Sequence, residues 1–128
     1  LLDAPFRAFE RAIELGIEQQ VDFVVLSGQT CDVLRSGPRA ALFLEQQLQR
    51  LTDKNIPLYW AAGPRDPVWD EGLDVNWPKN IRVFPRTHAE TVMFERHGVP
   101  VARLVGRSGE ASAWHLNDHV ITESPVFT

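Results

Sequence analysis

Two short segments collect residue types that can do chemistry. One reads Ser27-Gly28-Gln29-Thr30-Cys31-Asp32, the other Gly63-Pro64-Arg65-Asp66. Each follows an apolar run (VDFVVL and IPLYWAA), turns at a glycine and ends in an aspartate. Glycine lets the backbone turn sharply where a strand ends, so Gly28 and Gly63 serve geometry while Asp32 and Asp66 project over the edge. Arg65 brings a guanidinium whose planar fork suits phosphate oxygens. Its plainer role is a salt bridge to Asp66, Asp32 or Glu71, since arginine beside carboxylates usually pairs. Cys31 follows a strand, where a nucleophile can sit. With no base or second cysteine near it, it reads more simply as a small apolar residue. His115 and His119, four residues apart with Asp118 between them, can share a face as zinc-binding histidines do. No third ligand accompanies them, and a surface or tail segment is the plainer assignment. His88 and His97 stand alone and read as surface residues. Trp69 and Trp77 flank a proline-bearing loop, where they roof the sheet edge by packing or stack on bases or on a partner's apolar surface.

The intervening elements decide whether the two glycine segments meet. Phe6, Phe9, Ile13 and Ile17 recur at helical spacing opposite Arg7, Glu10, Arg11, Glu14 and Glu18, which predicts an amphipathic helix of about four turns. Asp3 suits its cap and Pro5 an early position. The β-branched run Phe23–Leu26 predicts a strand buried on both faces, as in a parallel sheet. SGQTCDVLRSG then reads as a loop. A second helix is expected from about Pro38 to Asp53, with Ser36 as cap, Leu44, Leu48 and Leu51 on one face and Asn55 as the stop. Leu58–Ala61 repeats the strand logic. Strands alternating with helices imply a parallel α/β sheet with right-handed crossovers. Ligands in such sheets bind at the carboxyl ends of the strands, so both glycine loops point at one edge. After a loop from Pro64 to Asn80, IRVF begins a short strand at Ile81. TVMFE and VARLVG follow as two strands around a His97-Gly98 turn. Residues 109–128 form a tail in which Asn117-Asp118 can turn a hairpin.

The chain has 128 residues, 44% hydrophobic and 23% charged, which fits one domain spanning 1–128. Thirteen basic residues against 17 acidic ones leave a net charge of -4, a balance that disfavours a freestanding nucleic-acid binder. A single cysteine excludes an internal disulfide framework and a cysteine-based zinc cluster, and points to a reducing, cytoplasmic setting. No apolar run approaches the ~20 residues of a membrane span, and no leader-like segment opens the chain. The sequence starts at Leu1 rather than Met, which suggests a piece of a larger domain.

VDFVVLSGQTCD, IPLYWAAGPRD and PKNIRVF resemble the calcineurin-like metallophosphoesterases, and most closely their SbcD-type branch of DNA-repair exonucleases. The resemblance covers about Pro5 to Ser108. It implies a layered α/β fold with a parallel or mixed sheet and flanking helices. It also implies a central strand carrying D-x-H before Leu1 and a G-H-x-H motif beyond Thr128. The family hydrolyses phosphate esters with two cations that clamp the phosphate and generate the attacking hydroxide. Where the family has its bridging carboxylate, this chain has Gln29, a neutral amide and a poor bridge. Pro64 replaces the family's ligating asparagine and Arg65 its catalytic histidine, and arginine can neither act as a base near neutral pH nor welcome a cation. Gly28, Asp32, Gly63 and Asp66 match. The resemblance therefore implies a degenerate, non-catalytic domain with no catalytic residue, metal or other cofactor, leaving His115 and His119 as the remaining metal candidates. Such a domain serves as a scaffold or partner-binding module. The expected partners are a protein, a second copy filling the seam of a missing strand, or the ATPase partner of a repair nuclease. One alternative is an active, manganese-dependent phosphoesterase or exonuclease with a rebuilt site around Asp32 and Asp66. Another is a phosphate- or nucleotide-binding module that uses Arg65.

Overall fold

The computed structural model describes residues 4–28, 33–64, 66, 69 and 77–109. Helix α1 spans Ala4–Glu18 and is followed by strand β1, Val24–Gly28. Helix α2 spans Val33–Asp53 and leads into β2, Leu58–Ala62. Three further strands follow: β3 at Ile81–Val83, β4 at Glu90–Arg96 and β5 at Val99–Gly106.

The apolar stripe of α1 faces inward as its spacing requires. Ile13 is buried, and Phe6, Phe9 and Ile17 pack against the same cluster. Phe6 meets Phe43 of α2 with ring centroids 5.2 Å apart. On the solvent face Arg11 reaches Glu14 and Glu18 at 3.3 and 3.7 Å, exposed pairs of little energetic weight. Both helices end in the same way. Gln20 and Asn55 take positive φ (52° and 57°), while Val21 donates its N–H to Gly16 and Ile56 donates to Leu51. This is the six-to-one closure of a left-handed helix cap, and Asn55 is the stop that the sequence announces.

α2 begins at Val33, five residues ahead of the expected start. Ser36, Gly37 and Pro38 mimic a helix start, but they lie inside the first two turns. Proline there removes one intrahelical donor, a loss that the long buried face of Ala40, Ala41, Leu44, Leu48 and Leu51 outweighs.

β1, β2 and β3 form a parallel sheet in that order, with Gly28 opposite Ala62 and Trp60 opposite Val83. β2 is central, and its alternation defines the layers. Leu58, Trp60 and Ala62 face the helices, and Tyr59 and Ala61 face the hairpin of β4 and β5. Leu58 and Trp60 are fully buried, each worth roughly 1.5–3 kcal/mol of transfer free energy. Trp60 meets Trp77 edge-on at 5.7 Å. The expectation that β1 is buried on both faces fails at Val25, which is 48% exposed. Among the described residues β1 has a strand neighbour on one side only, and the hairpin covers Phe23 rather than Val25.

The hairpin turns at His97-Gly98, both with positive φ (53° and 78°), the geometry whose twist matches paired strands. Its inner side chains, Val92 and Leu104, close a second cluster with Tyr59, Phe84 and Phe23. Burial there pushes the Tyr59 phenol above its ordinary range, with Arg82 pulling weakly the other way. Gly106 is required by packing: a Cβ at that position falls 2.6 Å from the Phe84 ring. The molecule is thus an α/β arrangement of helices, parallel sheet and antiparallel hairpin. No described helix is long and apolar enough to cross a membrane.

Candidate functional site

The register of β1 with β2 brings Gly28 and Gly63 to the carboxyl edge, as the alternation of strands and helices implies. Gly28 ends β1 with φ 79° and open space where a Cβ would stand, so its conformation rather than crowding calls for glycine. Gln29, Cys31 and Asp32 lie outside the described residues, as do Arg65, Glu71, Asp118, His115 and His119.

The Gly63 segment is the built part of the site. Asp66 is 2% exposed. Its Oδ2 accepts the Gly63 N–H at 2.8 Å, and its own N–H donates to the Gly63 carbonyl at 3.2 Å. The Trp69 indole N–H reaches the same carbonyl at 2.9 Å. A buried carboxylate must be bonded to be tolerated, and here it stitches the turn that carries Pro64 at its exposed tip. Trp69 and Trp77 both pack on the helix-side core, which is the packing role for each.

Sequence reasoning missed four residues at this edge. Ser108 is 3% exposed, and its Oγ accepts the Ala62 N–H at 2.9 Å. Gly109 donates its N–H to the Ala62 carbonyl at 2.8 Å, and Ser108 donates its N–H to Pro85 at 2.9 Å. Because β3 stops at Val83, Ser108 and Gly109 take over as partners of the last residue of β2. Arg86 lies with its guanidinium carbon 4.5 Å from the Trp69 ring centroid. Arg107 donates from Nε to the Arg86 carbonyl at 3.0 Å. The one available signal was the polar Arg107-Ser108 pair directly after the apolar strand. No local pattern links it to a residue 46 positions away. His88 bonds the neighbouring Thr87 side chain at an exposed position, and His97 occupies the exposed hairpin turn, both at the surface as expected.

Volume points elsewhere. A cleft of about 690 Å³ opens at the amino ends of the strands, lined by Gln20, Asp22, Lys54, Asn55, Asn80 and Arg96 among others. Arg96 pairs with Asp22 at its rim.

Two curated proteins match the chain. It is 29% identical over 111 residues to the uncharacterized metallophosphoesterase YhaO of Bacillus subtilis, a stretch covering 87% of this chain and 27% of that protein. It is 33% identical over 61 residues to the DNA double-strand break repair protein Mre11 of Thermoplasma acidophilum, covering 48% of this chain and 16% of that protein. Over most of its length the chain is thus similar to a metallophosphoesterase. It spans about a quarter of the length of the first relative and about a sixth of the second. No family model matches, and no solved structure matches.

A metallophosphoesterase centre needs carboxylates, imidazoles and amides converging on two cations. The described residues do not make such a set. No group of three or more histidine, cysteine, aspartate or glutamate residues among them could hold a metal ion. Asp66 spends one oxygen on the Gly63 N–H, and the Pro64 side chain has no ligating atom.

Proposed function

We propose that this chain is a metallophosphoesterase-like domain that does not hydrolyse phosphate esters and works as a scaffold or partner-binding module beside a DNA-repair nuclease. The observation that carries this reading is the Gly63–Asp66 turn. Its carboxylate folds back onto Gly63, its tip carries Pro64, and the next residue in sequence is Arg65. A proline has no donor to give a cation, and a permanent positive charge beside it repels one. Gln29 repeats the theme in the sequence directly after Gly28, where an amide stands at the position of the family's bridging carboxylate. The repair context rests on the relative described as a DNA double-strand break repair protein. Among the described residues β1 has a strand neighbour on one side only, with Val25 exposed, which supports a protein partner along that edge.

The test is manganese titration followed by calorimetry, with hydrolysis of a simple phosphodiester measured in parallel. The reading predicts no saturable binding at millimolar metal and no turnover above buffer. Saturable binding with turnover that Asp32→Ala abolishes would establish the active alternative instead.

A further inference from the structure

We infer that the cleft at the amino ends of the strands binds an extended, uncharged peptide segment of a partner protein. Side-chain amides take the main chain of that segment, and the apolar lining takes one of its apolar side chains. The cleft gives the partner-binding reading a second surface, and its role holds whether or not the carboxyl edge hydrolyses phosphate esters.

The backbone gives the first indication. Among the described residues three that are not glycine take positive φ: Gln20 at 52°, Asn55 at 57° and His97 at 53°. All three line this cleft. An ordinary side chain strains that conformation and glycine does not. Glycine is the usual residue at helix caps of this kind, and glycine, asparagine or aspartate at such a hairpin turn. The cap bonds from Val21 to Gly16 and from Ile56 to Leu51 are main-chain bonds, so they ask nothing of the Gln20 and Asn55 side chains. What glycine lacks at these positions is a hydrogen-bonding group. Strained backbone of this kind gathers where a side chain has a ligand to hold.

The composition of the walls defines the ligand. A side-chain amide offers both donors and an acceptor, the complement of a peptide's own carbonyl and N–H. Gln20, Asn55 and Asn80 bring three of them to the lining. The Asn80 Nδ2 is buried without a hydrogen-bond partner among the described residues. A terminal amide turns readily, and a carbonyl entering the cleft gives that donor the acceptor it lacks. Ile17, Ile56 and Phe94 supply apolar surface. The charges balance, with Asp22 and Glu95 against Lys54 and Arg96, and Arg96 is already paired with Asp22. Both helices also end here, and the negative ends of their dipoles disfavour an anion. An acidic segment or a phosphate is therefore a poor occupant, and a neutral chain a good one. The volume of about 690 Å³ lies in the range of working binding pockets.

The test is titration of the isotope-labelled chain with a capped alanine-leucine-alanine tripeptide, followed by proton–nitrogen NMR. The side-chain amides of Gln20, Asn55 and Asn80 are the reporters. We expect saturable shifts at these resonances, with the capped tripeptide binding more tightly than N-acetyl-leucinamide. Replacing its leucine by aspartate should weaken it at least about fivefold. In Gln20→Gly the affinity should also fall at least about fivefold, while the urea midpoint equals or exceeds that of the parent. A Gln20 that serves only the cap would give the higher midpoint with unchanged affinity. Asn55→Gly should behave in the same way. An unshifted Ala62 amide places the binding at this end and shows that each variant is folded. No saturable shift would overturn the proposal, as would equal binding in Gln20→Gly. N-acetyl-leucinamide or glucose binding as tightly as the tripeptide would also overturn it, in favour of a small-molecule site. Manganese-dependent turnover with tripeptide binding intact would sink the non-catalytic reading and leave this one standing.

Discussion

At the amino end of the parallel sheet, structure is closed by main-chain bonds. The caps at Gln20 and Asn55 bond within five or six residues, and Asn80 and Pro57 pass carbonyls to the strands beside them. The large cleft there is lined by these caps, and the side-chain amide nitrogen of Asn80 is buried without a hydrogen-bond partner among the described residues. At the carboxyl end side chains take part in the closure. Ala62 is held from a distance by Ser108 and Gly109, and Gly63 locally by Asp66 and Trp69. A cleft can form wherever helix caps and a hairpin turn leave room. A turn bonded by particular side chains needs every one of those residues. The smaller, tighter end therefore depends more on residue identity for its stability, and substitutions should cost more there.

The largest effect is expected at Gly106→Ala, which drives a methyl group into the Phe84 ring beside the Arg107-Ser108 segment. Overpacking of this kind costs about 3 kcal/mol, measurable as a lower urea midpoint. Asp66→Ala should follow at about 2 kcal/mol, because it strands the buried Gly63 N–H. Asp66→Asn keeps an acceptor and should recover most of that loss, whereas an equal loss would mean that the carboxylate charge, rather than the bond to Gly63, holds the turn.

How much of this was legible beforehand differs between the two ends. The stripe Phe6, Phe9, Ile13, Ile17, the stop at Asn55 and the His97-Gly98 turn are local signals, each set by spacing or by backbone preference within a few residues. The arrival of Gly28 and Gly63 at one edge also followed, because alternating strands and helices leave a parallel sheet little choice. The early start of α2 was hidden by Ser36 and Pro38, whose cap-like chemistry yielded to tertiary burial. Exposure of Val25 depends on which strands neighbour β1, and a single apolar run does not encode that. Ser108, Arg86 and Arg107 were illegible for the same reason: their partners are fixed by topology.

Smaller effects complete the comparison. Ser108→Ala should cost about 1 kcal/mol by leaving the Ala62 N–H unbonded, with faster hydrogen exchange at that amide. Arg96→Gln at the opposite end removes a pair whose members are both about half exposed, so its effect on the unfolding midpoint should stay below about 0.5 kcal/mol. If Arg96→Gln costs more than Ser108→Ala, the contrast between the two ends is wrong.

The most direct measurement is hydrolysis of a simple phosphodiester by the purified chain across a manganese titration. The account predicts a rate equal to buffer plus metal at every concentration. Manganese-dependent turnover that disappears in Asp32→Ala would contradict it, and would show that the loops ending β1 and β2 still assemble a working metal centre.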